Sequence, residues 1–241
     1  MVKTLTGDLV SDVVHLMSEA EGDSVCARLY RHGSAAWDAA VRHPMVREIA
    51  AGTLAHDRFR HYFEQNISYL EDYMRAISCI TAKAPDSEAL AILGRILGQV
   101  IDVELPANRA FLARLGGDPE LARGPAAMEP TTYAYTRHLL ATAALGSCAE
   151  GLTAVLPCQW SYGEIGADIA DAKPDDPIYC DWIGVFGNPE YAELVEVTTK
   201  LLNRLAEPGE ESFGRLQVIF DASTRYEVEF WDMAYRPSAR P

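Results

Sequence analysis

Between Asp57 and Ile80 the apolar residues fall at Phe59, Tyr62, Phe63, Ile67, Leu70, Tyr73, Met74, Ile77 and Ile80, the three- and four-residue spacing of one buried helical face. No Pro or Gly interrupts the stretch. A helix this long and this apolar has to be covered by other elements, and the rest of the chain offers more helices. Ser24 reads as the N-cap of a helix whose stripe of Val25, Leu29, Tyr30, Ala36, Trp37, Ala40 and Val41 runs to His43-Pro44, and a short helix follows from Pro44 to Gly52. Pro85-Asp86-Ser87 ends the long helix and opens the next, which carries Leu90, Leu93, Ile96, Leu97, Val100, Ile101, Leu105 and Phe111 before Gly116-Gly117. Leu121 to Glu129 reads as a loop. Further helices are predicted over Thr132–Leu145, Cys148–Asp171 and Ile178–Phe186, then from Asn188-Pro189 through Leu202, and finally over Phe213–Tyr235. Nowhere do alternating apolar and polar residues run between hairpin turns, so no sheet is predicted. The expected fold class is all-α, a single-domain helical bundle, with residues 1–23 as an N-terminal extension and 24–241 as the helical domain.

Charge narrows the partners. The chain of 241 residues has 21 Lys and Arg against 35 Asp and Glu, a formal charge of -14, which opposes nucleic acid and anionic membrane surfaces as partners. Its five cysteines, at 26, 79, 148, 158 and 180, show no CxxC pairing, so neither a disulfide framework nor a zinc knuckle is expected and the compartment reads as reducing. With no apolar run of signal-peptide or membrane-spanning type, the expected location is the cytoplasm. The six histidines form neither an HExxH nor an ExxH motif, Asp12 and His15 read as surface, and GxGxxG, P-loop and GxSxG motifs are missing; no metal or cofactor is predicted.

A thiol site is the candidate that remains. Cys158 follows Pro157 inside a predicted helix, and the proline removes one ladder hydrogen bond, which bends the backbone and can aim a thiol into a cavity. Tyr162 lies one turn on, on the same wall. A buried cysteine acting only as a small hydrophobe is the competing reading of the same stretch. Tyr69, Tyr73, Tyr133, Tyr135 and Tyr226 are aromatic candidates for the walls, each equally readable as core. Glu227, three and four residues before Phe230 and Trp231, is either a buried carboxyl with a raised pKa or part of a solvated face. A thiol, a carboxyl and aromatic walls suit a flat polar heterocycle.

Five ordered blocks carry a family resemblance: His43 to Leu54, Phe59 to Gln65, Pro130 to Thr136, Leu156-Pro157-Cys158-Gln159-Trp160, and Tyr226-Glu227 to Phe230-Trp231-Asp232-Met233-Ala234-Tyr235. Together they resemble the TenA (thiaminase II) family over about Trp37 to Tyr235. The resemblance implies a heme-oxygenase-like fold without heme, a homotetramer, and action on the aminopyrimidine half of thiamin or its breakdown products. It implies Cys158 as nucleophile on the pyrimidine ring, Glu227 as the acid/base at the ring nitrogen, and Tyr69, Tyr135 and Tyr162 as residues that hold the ring.

Two positions depart from the family pattern, which has Asp where this chain has Asn66 and Tyr where it has Phe186. An Asp would accept from an exocyclic amine and favour a protonated ring edge by its charge, whereas Asn brings one donor group, one acceptor and no charge. Phe186 deletes a phenol. The leading expectation is hydrolysis of 4-amino-5-aminomethyl-2-methylpyrimidine or thiamin in thiamin salvage. The alternatives are an enzyme retuned to another heterocycle or amide through Asn66 and Phe186, and a non-catalytic pyrimidine-binding or regulatory protein.

Overall fold

The computed structural model describes residues 22–236, and every regular element among them is helical. The reading of Asp12 and His15, and nearly all of the N-terminal extension, lie outside the described residues. Eleven α-helices follow one another: α1 (Val25–His32), α2 (Ser34–Val41), α3 (Pro44–Ala51), α4 (His56–Thr81), α5 (Ser87–Gln99), α6 (Leu105–Arg114), α7 (Pro130–Leu145), α8 (Cys148–Ile169), α9 (Pro177–Phe186), α10 (Pro189–Leu205) and α11 (Glu210–Tyr235). Their starts are set by local chemistry. Ser24, Asp86, Asp176 and Asn188 each accept a backbone N–H with their side chains, and Ser147 and Glu150 close a reciprocal capping box. Gly52 ends α3 at φ 69, a left-handed conformation that favours glycine.

Two predicted helices are each divided. The stretch read as one helix from Ser24 to His43 breaks at Gly33, which caps α1 by donating its N–H to Leu29 O. The break lets α1 pack against α10 and α11 while α2 turns Trp37, Ala40 and Val41 inward against α11 and α8. The stretch read as one helix after Ser87 contains a π-helical turn, Val100–Glu104, between α5 and α6. Pro106 gives the physical reason: it has no N–H for the carbonyl one turn back, and widening the helix by one residue absorbs the mismatch.

Four helices, α4, α7, α8 and α11, each pack against the other three. Their shared interior holds the largest buried side chains of the central layer, including Tyr62, Phe63, Tyr135 and Trp231, and α9 and α10 cover α8 from outside. At the crossing of α8 with the end of α9 there is no room for a side chain: a Cβ on Gly166 would lie 2.4 Å from the carbonyl carbon of Phe186. That glycine brings α9 close enough to place Phe186 beside Tyr162.

Candidate active site

The site forms where the four central helices meet. α8 runs unbroken through the buried Pro157, and Cys158 is half-buried, facing inward. Asn66 and Tyr69 lie on α4, Tyr135 on α7, Tyr162 on α8, Phe186 on α9 and Glu227 on α11, all buried. Sequence reasoning therefore nominates seven residues from five helices, and the fold brings all seven into one neighbourhood. Tyr133 is the exception among the tyrosines considered: it is 46% exposed, with the Arg137 guanidinium over its ring. Tyr226 stacks on Tyr135 at 5.1 Å between ring centroids and supports it from behind.

Two chains of contacts converge on the thiol. On one side Tyr135 donates its hydroxyl to Glu227 Oε1 at 2.5 Å, and its ring packs against Tyr69 at 5.1 Å. On the other, Tyr162 shares a hydrogen bond of 2.9 Å with Tyr62, stacks on Trp231 at 5.4 Å, and meets the edge of Phe186 at 4.8 Å. Tyr62 in turn touches the α4 amide: Asn66 Nδ2 donates to Asn108 Oδ1 at 2.9 Å and, more weakly, to the Tyr62 hydroxyl at 3.5 Å. Asn108 Nδ2 donates to the main-chain carbonyl of Glu104 at 2.8 Å. A carbonyl can only accept, so it fixes the orientation of Asn108 and then that of Asn66. The consequence is that the Asn66 N–H groups are used inside the protein and Asn66 Oδ1 is left as the free atom.

Burial dominates the electrostatics. Glu227 is 3% exposed, and loss of water pushes its carboxyl up from 4.5 to about 7, while the Tyr135 hydrogen bond works in the opposite direction. Of the two readings of Glu227, the fold shows the buried carboxyl and not the solvated face. Burial also pushes the Cys158 thiol well above its usual range, the nearby charge of Glu227 adds to this, and the Tyr69 hydroxyl favours the thiolate. That hydroxyl is buried without a partner at full hydrogen-bonding geometry, a free donor beside the sulfur. Near neutral pH the thiol is therefore held protonated.

Three residues of this neighbourhood escaped sequence reasoning. Tyr62 was visible only as a core residue of the long helix. Glu104 and Asn108 carry a readable signal: with Ile96 and Val100 they continue a four-residue spacing, so two polar side chains sit on an otherwise apolar stripe. Burial raises the Glu104 carboxyl to about 7 as well.

Comparison with known proteins places this arrangement. The sequence family described as TENA/THI-4/PQQC matches residues 32–237. The chain belongs to the TENA/THI-4/PQQC family. Among curated members, an aminopyrimidine aminohydrolase of Halalkalibacterium halodurans is 35% identical over 217 residues, which cover 88% of this chain and 96% of that protein. The solved structure of a TenA homologue from P. horikoshii OT3 superposes with a TM-score of 0.79 at 31% identity, over 88% of this chain and 99% of that one. A domain from Shewanella denitrificans with a heme oxygenase-like fold matches at a TM-score of 0.68 and 14% identity, over 87% and 91% of the two chains, a likeness of fold alone. The all-α, heme-oxygenase-like expectation is thereby met by this TENA/THI-4/PQQC chain. Among its described residues no helix is long and apolar enough to cross a membrane.

Proposed function

We propose that this TENA/THI-4/PQQC chain is a hydrolase of the thiaminase II type, acting on an aminopyrimidine with Cys158 as nucleophile and Glu227 as acid. The observation that carries the reading is the meeting of a thiol with a buried carboxyl whose pKa is about 7, inside aromatic walls, in a chain similar to aminopyrimidine aminohydrolases. Thiolate addition to a pyrimidine ring becomes easier when a ring nitrogen is protonated, and a carboxyl that still holds its proton near neutrality can supply it. Ring protonation also lowers the barrier to losing the group attached at the ring methylene. A thiol held protonated near neutrality gives its proton up to solvent as the ring takes its place, and Tyr69 donates to the sulfur of the thiolate that results. Tyr69, Tyr135 and Tyr162 hold the ring.

Asn66 fills its role without a charge. With its N–H groups held by Asn108, it presents Oδ1 to an exocyclic amine, as an Asp would, and the chain keeps the acceptor while dropping the negative charge. Phe186 offers the ring an apolar edge where the family pattern has a hydroxyl, which favours substrates that are apolar at that point. The homotetramer and the cytoplasmic location implied by the resemblance belong to this proposal too.

The test is chromatographic release of hydroxymethylpyrimidine from 4-amino-5-aminomethyl-2-methylpyrimidine and from thiamin, by the wild-type chain and by Cys158→Ala. Turnover that disappears in Cys158→Ala supports the reading. Ligand-dependent thermal stabilisation without product would identify a binding protein, and no response to either compound would send the search to other heterocycles.

A further inference from the structure

Beside Cys158 a small cavity opens between the end of α5, the π-helical turn, α8 and α10, with free room for about a single water molecule. Most of its wall is apolar, including Leu70, Ile96, Val100 and Leu194. Two polar groups facing it have no partner. Gln159 is 4% exposed and its Nε2 makes no hydrogen bond. The Glu104 carboxyl has neither an ion pair nor a hydrogen bond among the described residues; its charge is felt by Cys158, Tyr73 and Tyr191, which line the same space. An unpaired donor in the interior is costly, and with a half-buried, unpaired carboxyl beside it next to a nucleophile the pair calls for a small polar guest. The guest must accept from Gln159 and donate to Glu104. Water does both.

We propose that this cavity is the seat of the hydrolytic water, with Gln159 Nε2 donating to the water oxygen and the Glu104 carboxylate receiving its proton. The inference rests on the hydrolase reading above and gives it a second acid/base. In the first half of the reaction the Cys158 thiolate, its proton released to solvent as substrate binds, bonds to the ring, the ring nitrogen takes the Glu227 proton, and the leaving group departs with the electron pair of its bond to the methylene. In the second half the water oxygen bonds to that methylene and its proton passes to Glu104. The electron pair pushed into the ring returns to sulfur as the carbon–sulfur bond breaks, and the ring nitrogen gives its proton back to Glu227. Glu227 cannot serve both halves alone. In the second half it must take back the proton it lent to the ring nitrogen, so it cannot also hold the proton of the attacking water, and one of its oxygens is bonded to Tyr135. A second base beside the sulfur divides the labour. The π-helical turn puts it there, consistent with the use of such turns at functional sites.

The test separates the two halves. With thiamin as substrate, rapid-quench measurements follow thiazole release and hydroxymethylpyrimidine formation in the wild-type chain, Glu104→Gln, Glu104→Asp and Gln159→Leu. In Glu104→Gln thiazole is expected in a burst close to the enzyme concentration, followed by hydrolysis about a hundredfold slower than wild type. Added 2-mercaptoethanol, a nucleophile that needs no base, then restores turnover and diverts the product to the thioether. Glu104→Asp recovers part of the hydrolytic rate, and Gln159→Leu shows a weaker burst of the same kind. Hydrolysis in Glu104→Gln within twofold of wild type would overturn the inference. So would equal loss of thiazole release and hydrolysis without a burst, because that result marks a structural role. No thiazole release and no aminopyrimidine turnover by the wild-type chain would overturn the hydrolase reading itself, and this inference with it.

Discussion

Glu227→Gln is expected to stabilise the protein at alkaline pH while abolishing its proposed acid. The carboxyl is fully enclosed, and its rise from 4.5 to about 7 corresponds to roughly 3 kcal/mol at about 1.4 kcal/mol per tenfold change. The sign follows from proton counting. Between those two values the folded chain holds a proton at this site that the unfolded chain has released, so stability is greatest below the unfolded value and falls as pH rises through about 7. Gln is neutral throughout and can still accept from Tyr135, so it removes the pH dependence and keeps the packing. Working the two titrations together, the advantage of Glu227→Gln over wild type should grow by about 2 kcal/mol between about pH 5.5 and about pH 8.5. Glu104 titrates in the same direction but is present in both chains and cancels. Urea unfolding of both proteins at equal concentration across this range measures the difference, with concentration fixed because an oligomer would make it matter. A difference that stays flat with pH would refute the claim that burial leaves this carboxyl unpaid by any cation and raised in the folded chain.

Three further outcomes follow from the same geometry. Tyr135→Phe removes the hydrogen bond that holds the Glu227 pKa down, so Glu227 stays protonated to higher pH and the alkaline limb of the kcat profile moves up; an unmoved limb would separate Glu227 from that limb. Asn66→Asp sets a carboxylate oxygen against Asn108 Oδ1, which the Glu104 carbonyl prevents from turning, and should cost about 1–3 kcal/mol of stability in chemical denaturation and slow turnover rather than raise it. Gly166→Ala drives a methyl into the backbone of Phe186, and should lower the melting temperature by about 4–8 °C, for about 2 kcal/mol, with KM rising as Phe186 moves off Tyr162.

The long helices were legible because their signals are local. The unbroken stripe of α4, the capping residues at Ser24, Asp86, Ser147 and Asn188, and the Pro-Asp and Gly-Gly joints all act within one or two turns. The divisions at Gly33 and at the π-helical turn were not legible, because both are decided by what the flanking segments pack against: a glycine in a short helix is tolerated or not according to its neighbours, and Pro106 was accommodated by widening a turn instead of ending the helix. At the site, the family resemblance brought in Cys158, Glu227, Asn66 and the tyrosines, while Phe230 and Trp231 beside Glu227 made its burial one of two open readings. The partners that orient these residues most directly lie forty or more positions away in sequence, as Asn108 does from Asn66 and Tyr135 from Glu227. Pairing over such separations leaves no periodic trace, and only the folded chain displays it.

The substitution of Asn for Asp at position 66 looked from the sequence like a change of ligand code. In the fold it is half of an amide pair, and the pair explains why a charge is absent. A carboxylate at Asn66 would face Asn108 Oδ1 and add a third buried acid to Glu104 and Glu227, both already raised to about 7 by burial. A carboxyl added to a dry interior tends to stay protonated, and a protonated Asp would need an acceptor for its own proton. The amide pair avoids both costs: its donors go to Asn108 Oδ1 and the Glu104 carbonyl, Asn66 Oδ1 stays available as an acceptor, and Glu104 and Glu227 remain the carboxyls whose charges reach Cys158. On this reasoning the two asparagines are a single unit, and neither position is free to regain a charge without the other changing too.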